Sequence, residues 1–306
     1  KNFTISGALL PTAGNINISN VVITLKSDAT ATARVGALGG TAGISYTGTG
    51  KFSIERYISS QIKPAWRFLA APLRSDATQT INQAWQEGEI APTYTPTGYG
   101  MQIVGPSSAG PGFDVNNQIT SLKKYNPVTN TWVTVPGTMG AIAATDGYMA
   151  FIRGDRGANV FGSQSPTTLR IAGPIKTGAV GPISTATANQ FISVGNPYPS
   201  AIDFSLTSRT GLLDAYYVWD PQLGTYGGYQ YFVAPAYNAF PGTGSYGSGN
   251  NQIESGQAFF VYSDASAGPH QISFGENCKV AGSNMVQRSG NSGKLLAVRM
   301  YSLNGS

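Results

Sequence analysis

The segment "SVGNPYPSAIDF", residues 193–204, begins within an apolar run of Phe191, Ile192 and Val194 and places Pro197 and Pro199 around Tyr198. A catalytic elbow would need Gly-x-Ser-x-Gly between a strand and a helix. Ser200 lacks both glycines, and no helix-forming run follows it. The two prolines fix φ, remove two donors and hold the residues before them extended. The segment therefore predicts a strand that leaves its sheet at a rigid turn. Tyr198 packs against that turn and the Asn196 side chain caps it. Neither Ser200 nor Asp203 gains a chemical role from the pattern.

The chain around this segment has the same character. Of its 306 residues only 11% are charged, against about 25% in an average soluble domain. Gly (39), Pro (18) and Tyr (16) fill the difference, with many Thr, Ser and Asn. Tyr, Thr, Val and Phe suit half-buried strands, and Gly, Pro and Asn suit the turns between them. The expected fold is all-β: β-sandwich units with an internal duplication, preceded by short solenoid- or sheet-like strands.

The order of motifs carries the duplication. "PAWRFLAAPL" (64–73) is echoed by "NQFISVGNPYPSAIDF" (189–204), each an aromatic-apolar strand that ends at a proline. "LKKYNPVTNTWVTV" (122–135) is echoed by "AYYVWDPQLGTYGGY" (215–229), a strand, an Asn/Asp-Pro turn and an aromatic strand. "TDGYMAFIRGD" (145–155) is echoed by "ESGQAFFVYSD" (254–264). "TINQAWQEGE" (80–89) holds one helical turn closed by Gly88. The expected divisions are 1–62 (N-terminal strands or rungs), 63–180 and 181–276 (two similar sandwich units) and 277–306 (a linker and a terminal strand). The chain opens directly on a strand-like Lys1-Asn2-Phe3-Thr4, and it reads as a processed or excised piece.

The motifs "FSIERYISSQIKPAWRFLAAPL", "TINQAWQEG", "GYGMQIVGP", "GFDV", "LKKYNPVTNTWV", "GYMAFIRGDR", "VGNPYPSAIDF", "YVWDP" and "SGQAFFVYSD" occur in order over roughly residues 50–275. In this the chain resembles a segment of large secreted Bacteroidota cell-surface proteins, which typically end in a type IX secretion sorting domain. The resemblance implies an extracellular, multidomain β-rich protein on the cell surface; it does not imply a catalytic site.

Composition narrows the chemistry further. One His (His270) and one Cys (Cys278) preclude an internal disulfide and most His/Cys metal sites. Any Ser-His-Asp scheme would depend on His270 alone. The net charge of +5 comes from scattered basic residues, which argues against nucleic-acid binding. No stretch of about 18 apolar residues is present to span a membrane. Paired carboxylates remain open, with Asp114, Asp203, Asp214, Asp220, Glu254 and Glu276 as candidates. Most adjoin Pro or Gly turns, where acidic side chains favour local backbone bonds. Calcium at Asp114 with Asn116 and Asn117, or at Asp220, lacks a repeat signature. "GTGSYG" (242–247) matches a dinucleotide fingerprint but has no helix after it. Arg153-Gly154-Asp155 reads as a strand-end turn and not as an integrin ligand.

The expected function is a non-enzymatic structural or adhesive module with no cofactor. Its expected partners are further copies of itself, further domains of the same chain or surface glycans. Self-assembly by strand exchange would use "KLLAVRMYSL" (294–303), with Leu296, Val298 and Met300 on one face. The alternative is a carbohydrate-binding module. Tyr216 to Tyr246 is dense in aromatics, and Trp219, Tyr226 and Tyr229 are its expected stacking platform.

Overall fold

A computed structural model describes residues 2–281 apart from 61–63, 90, 95, 107–109, 117–118, 144, 159–164 and 186. The chain is all-β. It starts as a parallel solenoid: β1 (Phe3–Ile5), β2 (Ala8–Leu9) and β3 (Asn15–Ser19) form one rung, and β4 (Val22–Leu25), β5 (Arg34–Val35) and β6 (Gly43–Thr47) the next. Each strand pairs in parallel with its counterpart, as in Phe3↔Ile23, Leu9↔Val35 and Ile18↔Tyr46. Rungs stack only where the corners are small. A Cβ on Gly50 would fall 1.9 Å from the Ile18 carbonyl oxygen.

The third rung opens with β7 (Lys51–Ile58), parallel to β4. Its free edge takes β14 (Thr167–Gly173) in antiparallel register from Thr167↔Ile58 to Gly173↔Phe52. One sheet, β1-β4-β7-β14, is thus both a solenoid face and one layer of a sandwich. The second layer has the order β12-β11-β13-β8, from β8 (Ala65–Leu69), β11 (Leu122–Asn126), β12 (Thr131–Thr134) and β13 (Tyr148–Ile152). A single core from Leu9 to Ile175 fills the space between them. The expected division at 62/63 therefore cuts through one sheet and one core, because β7 needs β14 to complete its hydrogen bonding. The short parallel pair β9 (Val104–Gly105) and β10 (Val115–Asn116) and the helix α1 (Ile81–Trp85) belong to the same unit, and Ile81, Ala84, Trp85 and Ile103 join its core. A capping box with Thr80 starts the helix.

The second unit repeats this plan. It contains β15 (Val180–Thr185), β16 (Phe191–Gly195), β17 (Ala201–Asp203), β18 (Ser208–Thr210), β19 (Ala215–Asp220), β20 (Gly228–Val233) and β21 (Asn238–Phe240). It closes with β22 (Gln252–Ile253), β23 (Ala258–Tyr262), β24 (His270–Phe274) and β25 (Lys279–Val280). Its main sheet runs β16-β23-β19-β20-β21; the first four strands match β8-β13-β11-β12 in order, and β21 is an addition at the edge. The antiparallel pair β15/β24 matches β7/β14. A separate core from Val180 to Cys278 fills this sandwich.

Period-2 alternation makes both main sheets two-faced. Tyr148, Ala150 and Ile152 point into the first core, and Phe259 and Val261 into the second. Met149 and Phe68 point the other way and meet Ala258 and Phe260 across a seam between the sandwiches. Backbone hydrogen bonds tie the seam: Ala70 N donates to Gly256 O and Gly195 N to Thr145 O, each at 2.9 Å, and at the other end of β8 Trp66 N donates to Tyr226 O at 3.1 Å. The approach is close enough that a Cβ on Gly147 would lie 2.4 Å from both the Phe68 ring and Ser193 Oγ. Gly147→Ala is therefore expected to lower stability by about 1–3 kcal/mol, read as a lower denaturant midpoint. An unchanged midpoint would show that the sheets do not pack as closely as described.

Candidate functional site

The opening segment is the turn expected of it. Asn196 Oδ1 accepts from Tyr198 N at 3.0 Å, and its amide donates to the carbonyls of Ser200, Ile253 and Glu254 at 2.9–3.1 Å. Tyr198 is fully buried, and burial pushes its phenol well above the usual range. Ser200 is also buried, with its hydroxyl donating to Val280 O at 3.2 Å.

Each candidate carboxylate is committed to holding chain segments together. Asp203 caps a turn through Ser205 N, and Asp214 pairs with Arg209 at 2.8 Å. Asp220 accepts from Ser245 N and Gln222 N, and Glu254 pairs with Arg56 at 3.1 Å. Glu276 accepts from Leu38 N and Gly178 N and pairs with Lys279 at 2.8 Å. Asp114 is the most deeply placed. Its Oδ1 meets Arg156 Nε at 3.0 Å, and its Oδ2 accepts from Gln86 Nε2 and Ile103 N. Arg156 also donates to the carbonyls of Gln86 and Glu89. With both side chains sealed from water, this pair serves as a buried clamp on three loops; Asn117 and the side chain of Asn116 lie outside the described residues.

Asp155 of the Arg-Gly-Asp tripeptide is buried and accepts from Gly98 N, while Arg153 lies over the Phe151 ring. The tripeptide is therefore not displayed. His270 is 1% exposed, and its closest acid is Asp264 at 3.8 Å. Residues 242–247 form a loop in which Gly244 abuts the Gln230 side chain. Among the described residues no group of three His, Cys, Asp or Glu side chains could hold a metal, and no helix is long and apolar enough to cross a membrane.

The rim of the seam is open to solvent. There the two sandwiches part around a cleft of about 520 Å³, continuous in lining with a smaller one of about 240 Å³. Tyr125 and Trp132 come from the first sandwich, and Phe191, Tyr217, Tyr229, Tyr231 and Phe260 from the second. Phe260 is the floor, with ring centroids of Phe68, Tyr125, Trp132, Phe191 and Tyr229 at 4.7–5.9 Å. Trp132 Nε1 donates to Tyr229 Oη across the seam at 3.2 Å. Towards the open side Tyr231 stacks on Phe240 at 5.2 Å and 18°, and both are over a third exposed.

The three residues expected to form one platform are divided. Trp219 and Tyr229 share the smaller cleft, but their rings stand edge-on at 89°. Gly227, at φ +103°, lets the Trp219 indole lie flat on the backbone; a Cβ there would sit 2.1 Å from Nε1. Trp219 Nε1 is buried without a hydrogen-bond partner. Tyr226 lies outside both clefts, 61% exposed and against Phe151. Pairing of β19 with β20 turns Trp219 and Tyr229 to the seam, while the loop between these strands carries Tyr226 away. Tyr125, Trp132, Phe191 and Phe260 escaped the sequence reading. Their alternation was visible, but nothing in the chain tells which sheet face will meet a second sheet. Leu296, Val298 and Met300 lie outside the described residues.

Two substitutions test this reading of the side chains. Asp114→Ala would strand Arg156 in the core, and a stability loss of about 3–5 kcal/mol is expected in chemical denaturation; a loss under about 1 kcal/mol would contradict the clamp. Burial pushes Tyr229 up to about 12, and the Trp132 hydrogen bond partly offsets this. An unfolded tyrosine titrates near ~10. A folded value raised above the unfolded one contributes stability that is intact below about pH 10 and lost as pH rises toward 12. Trp132→Phe removes the offset, so the late phase of an ultraviolet tyrosine titration should move to higher pH. An unmoved late phase would show that the bond is not made. Comparison of the chain with family models, curated proteins and solved structures returns no match in any of the three.

Proposed function

We propose that the protein is a non-enzymatic, extracellular adhesive module of a bacterial surface protein, and that it holds a glycan at the aromatic cleft between its two sandwiches. The observation that carries this reading is the cleft itself: aromatic rings from two separate sheets line one groove, and several remain open to solvent. Sugar rings present C–H faces that stack on such rings, and their hydroxyls meet tyrosine and indole donors at the edges. The Trp219 indole lines the smaller cleft beside Trp132 and Tyr229.

The acidic side chains named above are bonded to cations or backbone amides, where they serve the fold. The resemblance to Bacteroidota surface proteins supports secretion and display. An adhesin also needs persistence more than turnover, which suits rigid sheets with few charges.

Affinity electrophoresis of the protein through gels containing neutral and acidic polysaccharides tests the proposal. Trp132→Ala and Tyr231→Ala should each weaken retardation about tenfold, equivalent to ~1.4 kcal/mol. Tyr226→Ala, outside the cleft, should leave it unchanged. Retardation equal in all three variants, or absent throughout the panel, would overturn the proposal.

A further inference from the structure

A second cleft, unconnected with the aromatic seam, lies where the solenoid meets the first sandwich. It is a trough of about 690 Å³ with polar walls. Its floor is the outer face of β7 and β14, with Lys51, Ser53, Arg170 and Ala172 side by side. The segment around α1 forms one wall through Gln79 and Glu87, and Gln79 is held by accepting from Ala172 N at 2.8 Å.

Glu87 is the unusual member. Its side chain is 6% exposed, and its backbone adopts φ +60°, a region that disfavours side chains. Arg170 donates to it through Nε and Nη2, but both bonds go to Oε2. The other oxygen, Oε1, is buried with no hydrogen-bond partner. A buried acceptor without a donor is costly, by about 1–3 kcal/mol. Here the cost falls on a group that lines a cleft, where an incoming donor can relieve it. Arg170 is itself fixed, lying 4.1 Å from the Tyr99 ring centroid. Two cations, Arg170 and the exposed Lys51, face a single carboxylate, so the lining carries a net positive charge.

We propose that this trough binds an acidic sugar, a uronate. A ring hydroxyl donates to Glu87 Oε1, and the uronate carboxylate is met by Lys51 at the rim. A free cation is disfavoured by the net charge, and a purely apolar ligand would leave Oε1 unsatisfied. The site stands apart from the aromatic cleft and requires nothing of it.

The test is isothermal titration of the full chain with trigalacturonate and with its methyl ester. The acid should bind at least about fivefold more tightly than the ester. Lys51→Ala, a change at an exposed position, should bring the acid down to the affinity of the ester. Glu87→Ala should abolish binding of both in protein shown by thermal melting to be folded. Trp132→Ala should change neither, so failure of the aromatic cleft is read separately. Equal affinity for acid and ester, or binding that survives Glu87→Ala, would overturn the proposal. So would the absence of heat with the wild-type protein.

Discussion

Phe260 is the residue on which the arrangement of the molecule turns. It leaves the second core on the outer face of β23 and enters a ring of aromatics drawn from both sandwiches. Large flat side chains bury much area at low entropic cost, and edge-on packing adds a modest orientational term. Neither main sheet can leave this face in water, because each presents several aromatic rings on it. The two sandwiches are therefore joined by a dry layer at the seam's centre, and the same layer opens into a cleft at its rim. The rings that join the two sandwiches are also the rings that line the cleft.

Around this layer the protein spends its few charges on fastening. Glu276 joins the solenoid at Leu38, the inter-sandwich segment at Gly178 and the end of the second unit at Lys279. Arg56 of the solenoid-derived sheet reaches Glu254 of the second sandwich. Arg156 and Asp114 hold three loops of the first. Burial lowers the pKa of Lys279, and pairing with Glu276 opposes that shift. Low charge density thus coexists with strongly placed charges: most of the surface is neutral, and ionic groups sit where backbone amides would otherwise be unsatisfied.

The fusion of solenoid and sandwich has a simple geometric cause. A parallel rung ends with an unpaired strand edge, and an exposed edge invites pairing. β14 covers the edge of β7 in antiparallel register, so the solenoid ends without leaving it open. In the second unit β24 does the same for β15, with no solenoid before it. The duplicated unit is thus a sandwich whose outer layer is supplied in one copy by a solenoid and in the other by short strands of its own.

Much of this was legible in the chain. Strand propensity, turn residues and the scarcity of charge determined an all-β protein, because these are local properties of a pleated backbone and its corners. The order of three motif pairs determined the duplication, and the prolines around Tyr198 determined a turn in place of a nucleophile. The site was only half legible. Trp219 and Tyr229 stood out by aromatic density, but Tyr226, equally conspicuous, turned away in a loop. Trp132, Tyr125, Phe191 and Phe260 looked like ordinary strand residues. Alternation says that a strand has two faces, yet not which face meets a partner sheet. Likewise Glu87 became distinctive only when Arg170, some eighty positions later, took one of its oxygens and left the other buried. Contacts between distant segments arise from how whole sheets stack, and that is settled by tertiary packing alone.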